Sequence, residues 1–445
     1  MQFKRELGSF DATMVVIGGI IGSGIFINPY LVARQLDTPA LVLAAWAAGG
    51  AVAIAGAFAY AELGRRLPRA GGQYVYLREA WHPVVGFLYG WALLLMIETG
   101  AIAAVAIVFA EYTLRLTGSV GVSPRPLAIA AIVAVTVVNY LGVKPGSRVL
   151  NVFVVLKVAA LGVLILFAWF TPAAPDWMTA QRIDDTPSNA LTFGAALIPI
   201  LFAYGGWQVA NYVAEEMREP ERLLPRSLIA GTLVVVAIYV LINVSYLRTL
   251  GLEGLAATST PAAETAGRWL GAHGERFVAA AIAISTFGFL NLSVLAPSRV
   301  YYAMAADGAF FPAIARLHPR FGTPAAAIVL QSAWAIVLAL TGRYGDLLDT
   351  VVFADWIFFG LTVAGLFVLR SSTSTADNSA ATGRGDAPGY RTPGYPWLPA
   401  FFVFVAVVVV LSTIRQSPAR SAVGAALLLA GIPIYYLFKG LNARR

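Results

Sequence analysis

Long apolar runs recur along this chain at a spacing that leaves little room for another kind of fold. Stretches near 11–34, 40–64, 84–113, 127–143, 149–171 and 190–214 carry few charges. Six more follow near 227–249, 276–303, 324–341, 348–370, 398–415 and 420–438. A helix needs about 20 apolar residues to cross the hydrocarbon core of a bilayer, and twelve such runs cannot be gathered around one aqueous core. The composition points the same way: 59% of the 445 residues are hydrophobic and 12% are charged, roughly half the charge of an ordinary soluble domain. The expectation is an all-α membrane protein of twelve transmembrane helices, one polytopic unit over residues 1–445, with the lipid bilayer as its solvent.

An even number of spans puts both termini on one side, and the basic residues say which. With the N-terminus inside, 20 of the 31 Lys and Arg residues fall in inner segments and 10 in outer ones, leaving Lys157 within a span. Both termini are therefore expected in the cytoplasm, with the chain in a cell inner membrane. The first run follows the polar MQFKREL and is too long for a removable leader, so it is read as a permanent helix. Segments 172–189 and 250–275 are expected outside. Residues 371–397, rich in Ser, Thr, Gly and Pro, read as a flexible inner linker.

Composition also excludes several functions. The net charge of +8 is spread over short clusters between apolar runs, which is not a nucleic-acid surface. With no cysteine there is no disulfide, no thiolate metal site and no disulfide-linked partner chain. His82, His273 and His318 all fall between spans, so no metal site and no cofactor are expected.

Two spans carry glycine clusters at similar depth, Gly18-Gly19-Ile20-Ile21-Gly22-Ser23-Gly24 in the first and Phe202-Ala203-Tyr204-Gly205-Gly206-Trp207 in the sixth. Glycine lowers the cost of leaving the helix, and unwound backbone at membrane depth is tolerable only where it lines a cavity. Each break frees N–H groups that suit a carboxylate and C=O groups that suit an ammonium. An α-amino acid carries both. Close helix packing is the plainer reading of either cluster alone. Paired breaks in corresponding halves point instead to a transporter site at the midplane.

These residues resemble the amino acid–polyamine–organocation superfamily. Gly18–Phe26 is similar to its first-helix motif, and Phe202–Trp207 with Glu215-Glu216-Met217-Arg218-Glu219-Pro220 to its sixth helix and the loop after it. Ala61-Glu62-Leu63-Gly64 with Pro68, Gly71-Gly72 and Tyr74 resembles the loop after the second helix. Gly288, Asn291, Ser298-Arg299 and Gly308 resemble the eighth helix and its exit. The nearest likeness is to the L-amino acid transporter branch. The resemblance implies a LeuT-like fold of two inverted five-helix repeats, about 10–171 and 190–370, with trailing helices about 398–438. It implies that N–H groups of Gly22, Ser23 and Gly24 receive the substrate carboxylate, with Ile25 also among the substrate-binding residues. The carbonyls of Ile20, Ile21, Phe202 and Ala203 would take the ammonium. Phe202 would gate the pocket, and Tyr204, Gly205, Trp207 and Gln208 would shape it.

The charges inside spans matter next. Lys157 lies about nine residues, or roughly 14 Å, into the fifth span, too deep to reach an interface easily, so a functional role is the default reading. The resemblance implies that it replaces a sodium ion between the first and eighth helices, with Ser285 as its partner on the eighth. Glu98, mid-way along the third span, departs from many L-amino acid transporters. It reads as a proton carrier, as a contact for a cationic substrate, or as a structural carboxyl. Asp355 is expected to face water at the outer end of the tenth span. Glu62, Glu215 and Glu216 are expected to form structural ion pairs with arginines.

An intramembrane enzyme would need a convergent nucleophile and base or a metal, and the residue types for most of these are missing. A channel would favour a continuous polar lining or a ring of charge. The expected function is sodium-independent transport of neutral L-amino acids, by exchange or with protons. The alternative is a cationic amino acid or polyamine carrier using Glu98, and a more distant one is a non-transporting amino-acid sensor.

Overall fold

The computed structural model describes residues 3–119, 121–181, 189–341, 344–377 and 390–443. Arg182, Arg343, Arg384, Arg444 and Arg445, counted above for orientation, lie outside the described residues, as do 378–389 of the expected linker. Among the described residues the chain is helical throughout and forms no β-strand, apart from one isolated bridge between Leu7 and Met217.

The first run is split into α1 (Ser9–Ile20) and α2 (Gly24–Ala33), bent by 41° at the break. After α3 (Pro39–Arg66) comes a short helix, α4 (Gln73–Ala80), and then α5 (Pro83–Ala92). Next to α5 is a five-residue π-helix, Leu93–Ile97, continuing directly into α6 (Glu98–Leu116). Then follow α7 (Arg125–Tyr140), α8 (Val143–Phe170) and α9 (Ala190–Tyr204). The sixth run continues past its break as a 3-10 helix, Trp207–Glu216. The remaining helices are α10 (Pro220–Ala257), α11 (Pro261–Leu270), α12 (Gly274–Leu295), α13 (Ser298–Ala306), α14 (Ala325–Thr341), α15 (Tyr344–Asp377), α16 (Trp397–Gln416) and α17 (Pro418–Ala443).

Among the described residues nine helices are long and apolar enough to cross a membrane, ten if α1 and α2 form one bent span. α7 and α14 are apolar but shorter. The outer faces of α8 and α16 expose Val152, Val155, Phe404 and Leu411, which only a lipid solvent makes reasonable. The chain is a multi-pass membrane protein.

Three segments differ from expectation. Residues 250–275 are largely helical: α10 kinks at Gly251, at φ 72°, and α11 follows, with Trp269 stacked on Phe167 at 4.2 Å. α15 runs on to Asp377, and the segment after 389 is tied down, because Thr392 N donates to Glu62 at 2.7 Å and Arg65 donates to Tyr390 O at 3.1 Å. The linker is therefore ordered at both described ends.

Ion pairs fasten the end of the bundle that carries the N-terminus. Glu62 accepts from Arg66 and Arg370, and Glu216 accepts two bonds from Arg299 Nη2, at 2.8 and 3.1 Å, both partners almost fully buried. Glu215 accepts from the Ala70 N–H. Leu7 lies alongside Met217, donating to Glu216 O at 3.0 Å and accepting from Arg218 N at 3.1 Å. Outside the spans, Tyr74 and Arg78 of α4 both reach Asp307. Burial, and then the Asp307 carboxylate, hold the Tyr74 phenol above its ordinary range, so it stays a neutral donor.

Candidate functional site

The two breaks meet. α1 ends at Ile21 in an extended conformation (ψ 96°), and α2 begins at Gly24. α9 ends at Gly205 (ψ 161°), and Gly206 takes φ 106°, a left-handed value open chiefly to glycine. A Cβ at Gly206 would stand 2.1 Å from Gly19 O, and one at Gly19 would stand 2.4 Å from Gly206 O. Only hydrogen at both positions lets the two backbones touch.

A cavity of about 150 Å³ opens between these breaks, α6, α12 and α15. Of the expected residues, Ile20, Gly22, Ser23, Gly24, Phe202, Ala203, Gly205, Gln208 and Glu98 line it. The N–H groups of Gly22, Ser23 and Gly24 have no backbone acceptor among the described residues, as the first turn of a helix requires. Phe202 is 40% exposed, and Gln208 turns its Oε1 to the Gly206 N–H at 3.0 Å, its amino group having no partner among the described residues.

Four of the expected substrate-binding residues do not reach the cavity. Ile21 and Ile25 are fully buried. Tyr204 lies behind the break, against Trp46 and Tyr239. Trp207 packs edge-on to Tyr60 at 4.7 Å and beside Phe359. These residues shape the pocket from its second layer.

The break carbonyls are already engaged. Lys157, with no exposed surface, donates to Gly18 O at 3.0 Å and Ile21 O at 2.5 Å. Tyr239 Oη lies within bonding distance of both Ile20 O (3.1 Å) and Ala203 O (3.2 Å), joining the two breaks. Phe202 O accepts from Gly205 N at 3.2 Å. Each carbonyl keeps a second lone pair, so any ammonium would share them with protein donors. Ser285 donates to Gly22 O at 3.3 Å, whereas Lys157 donates to Gly18 O and Ile21 O; both residues hold the same unwound stretch.

Glu98 directly follows the π segment, which shifts the helix register by one residue and frees carbonyls. Leu94 O is taken by Thr99 and Leu95 O by Trp334. Glu98 is 8% exposed, lines the cavity and lies by Ser293. Opposite expectation, Asp355 lines the same cavity as Glu98. The reason is length. α15 begins at Tyr344, so Asp355 sits eleven residues along it, roughly 16 Å, rather than at its outer end. Trp356 and Phe359 beside it also line the cavity. An acid amid bulky aromatics was the available sequence signal.

On the side of the N-terminus two hydroxyl contacts join α4, α5 and the 3-10 segment. Tyr89 and Tyr212 meet hydroxyl to hydroxyl, and Tyr76 donates to Asn211 at 3.0 Å. Away from it, a second hollow of about 400 Å³ lies between α2, α6, α11 and α12. Among the described residues no group of three His, Asp or Glu side chains could hold a metal ion.

Residues 7–438 match the family described as amino acid permease. The chain belongs to that family. This permease is 31% identical over 446 residues to the serine/threonine exchanger SteT of Bacillus subtilis (strain 168), covering 99% of this chain and 98% of that protein. It is 31% identical to the b(0,+)-type amino acid transporter 1 of Homo sapiens, covering 98% of this chain and 88% of that one. It is 28% identical to the large neutral amino acids transporter small subunit 2 of Rattus norvegicus, over 98% and 81%. The family places the chain in the amino acid–polyamine–organocation superfamily, among transporters and not enzymes.

Proposed function

We propose that this permease carries L-amino acids across the cytoplasmic membrane without sodium, by exchange or with protons. The observation that carries the reading is the contact of the two breaks around one small cavity. The free N–H groups of Gly22, Ser23 and Gly24 face it and suit a carboxylate. Lys157 donates to two carbonyls of the first break, the place where an ion would otherwise hold them. The names of the relatives, an exchanger and two amino acid transporters, agree with this class of cargo.

The twelve-span, LeuT-like arrangement belongs to the same proposal. α1 with α2 is the first broken span, α9 with its 3-10 extension the sixth, α7 and α14 are short spans, and α16 and α17 trail. Both termini lie in the cytoplasm. Read as a closed gate, the tyrosine layer and the Arg299–Glu216 pair then make this an outward-facing state.

The sequence favours neutral side chains, and the apolar walls at Ala101, Ala104 and Val209 accommodate them. The cationic alternative gains from Asp355 joining Glu98. Uptake into proteoliposomes of labelled alanine, leucine and arginine, with and without internal amino acid, a pH gradient and sodium, tests the proposal. Sodium-indifferent uptake of any of them is the expected result. Uptake strictly dependent on sodium, or none at all, would overturn it. Agmatine, which is arginine without its carboxylate, should enter at least about tenfold more poorly than arginine if the N–H groups bind that carboxylate.

A further inference from the structure

Each of the other buried acids at the helix contacts has a basic partner. Asp11 takes Lys144 at 2.9 Å, Glu62 takes Arg370 at 2.5 Å and Glu216 takes Arg299 at 2.8 Å. Glu98 and Asp355 differ. They come from α6 and α15, far apart in sequence, and face one cavity. Among the described residues neither forms an ion pair. Two carboxyl groups in a largely apolar space cannot both keep a charge cheaply without a counter-charge.

We infer that the wall formed by Glu98 and Asp355 is a cation site for the substrate's side chain, so that the preferred cargo is an amino acid ending in a guanidinium or an ammonium. The inference rests on the transport reading above and names its substrate class. An amino acid held by its carboxylate at Gly22–Gly24 extends its side chain across the cavity toward α6 and α15. The Trp356 and Phe359 rings line that end, and aromatic faces attract a cation that approaches within about 6 Å. The Ser293 hydroxyl next to Glu98 adds a further polar contact. A guanidinium suits two carboxylates reaching in from different helices, because its donors spread in one plane. A polyamine satisfies the acids but leaves the N–H groups of the break without a carboxylate, so the doubly matched ligand is the cationic amino acid.

The test uses the full chain in proteoliposomes and compares arginine with citrulline, whose urea group has nearly the same shape and no charge. Arginine should be taken up at least about tenfold better, since a hydrogen-bonded charge is being removed. Asp355→Asn and Glu98→Gln should each bring the ratio toward one. Equal uptake of arginine and citrulline by the native chain would overturn the inference, as would a ratio that neither substitution moves. Thermal unfolding in detergent identifies a variant that fails to fold, and the ratio of the native chain then decides alone. Uptake of leucine and citrulline with no preference for arginine sinks this inference and leaves the transport reading standing. No uptake of any amino acid removes both. If alanine uptake instead follows an acid gradient and loses that dependence in Asp355→Asn, the pair carries a proton and the inference fails.

Discussion

At the residue scale, the site depends on a few atoms that no other side chain could replace. Gly206 combines a left-handed φ of 106° with a Cβ position 2.1 Å from Gly19 O. Gly206→Ala should cost at least about 1 kcal/mol from backbone conformation alone and force the breaks apart. Uptake should fall to background, and normal uptake by a folded Gly206→Ala protein would mean that the breaks do not meet as described. Gly24→Trp is the complementary test, because its side chain would fill the cavity lined by Gly24 and Ala203. It should abolish substrate binding, read by ligand-induced thermal stabilisation. Lys157→Met removes the donor to two buried carbonyls, each costing about 1–3 kcal/mol when left unmade. Uptake should drop more than about tenfold, and unchanged rates would reduce Lys157 to packing. The glycines and Lys157 were legible because each is expensive in a membrane helix unless it is used. Tyr239 was not: a tyrosine within an apolar run carries no mark that it will join both breaks through one hydroxyl.

Helix existence could be read from the apolar runs, whereas helix character could not. The sixth run reads as one span with a glycine interruption, yet its second half is 3-10 rather than α. Leu93–Ile97 reads as ordinary helix and is a π segment, in which Trp334 and Thr99 take carbonyls of Leu95 and Leu94. The misplacement of Asp355 came from a helix start set four residues late. Glu216 and Arg299 join the 3-10 segment to α13, both almost wholly buried. Removing one partner of such a pair typically costs about 3–5 kcal/mol, whereas replacing both with apolar residues is often close to neutral. Arg299→Met alone should therefore lower the unfolding midpoint clearly, and Glu216→Leu combined with Arg299→Met should recover most of it. A double variant as unstable as the single one would mean that the remaining bonds of Arg299, to Leu295 O and Ser298, matter more than the pair.

For the whole molecule, ion pairs and tyrosine contacts are gathered at one end of the bundle, and a hollow of about 400 Å³ lies toward the other. Leu7 beside Met217, the Glu62–Arg370 and Glu216–Arg299 pairs, and the Tyr89–Tyr212 contact all lie toward the N-terminal end. Ile27 is exposed beside that hollow, and Phe202 is exposed at the central cavity. On the proposed reading, a carrier that opens to one side at a time needs this asymmetry, and the excess of basic residues is the reason for proposing that the N-terminal end faces the cytoplasm. The chain has no cysteine, so any introduced thiol is the only one present. Ala101 lines the cavity and is partly exposed, and its replacement by cysteine reports on access from either side. In intact cells Ala101→Cys should react with a membrane-impermeant maleimide added outside, and saturating substrate should slow that reaction. Lys4→Cys should react only after the membrane is opened. Labelling of Lys4→Cys in intact cells would reverse the orientation, and labelling of Ala101→Cys only from the cytoplasmic face would mean that the tyrosine layer is not the closed gate.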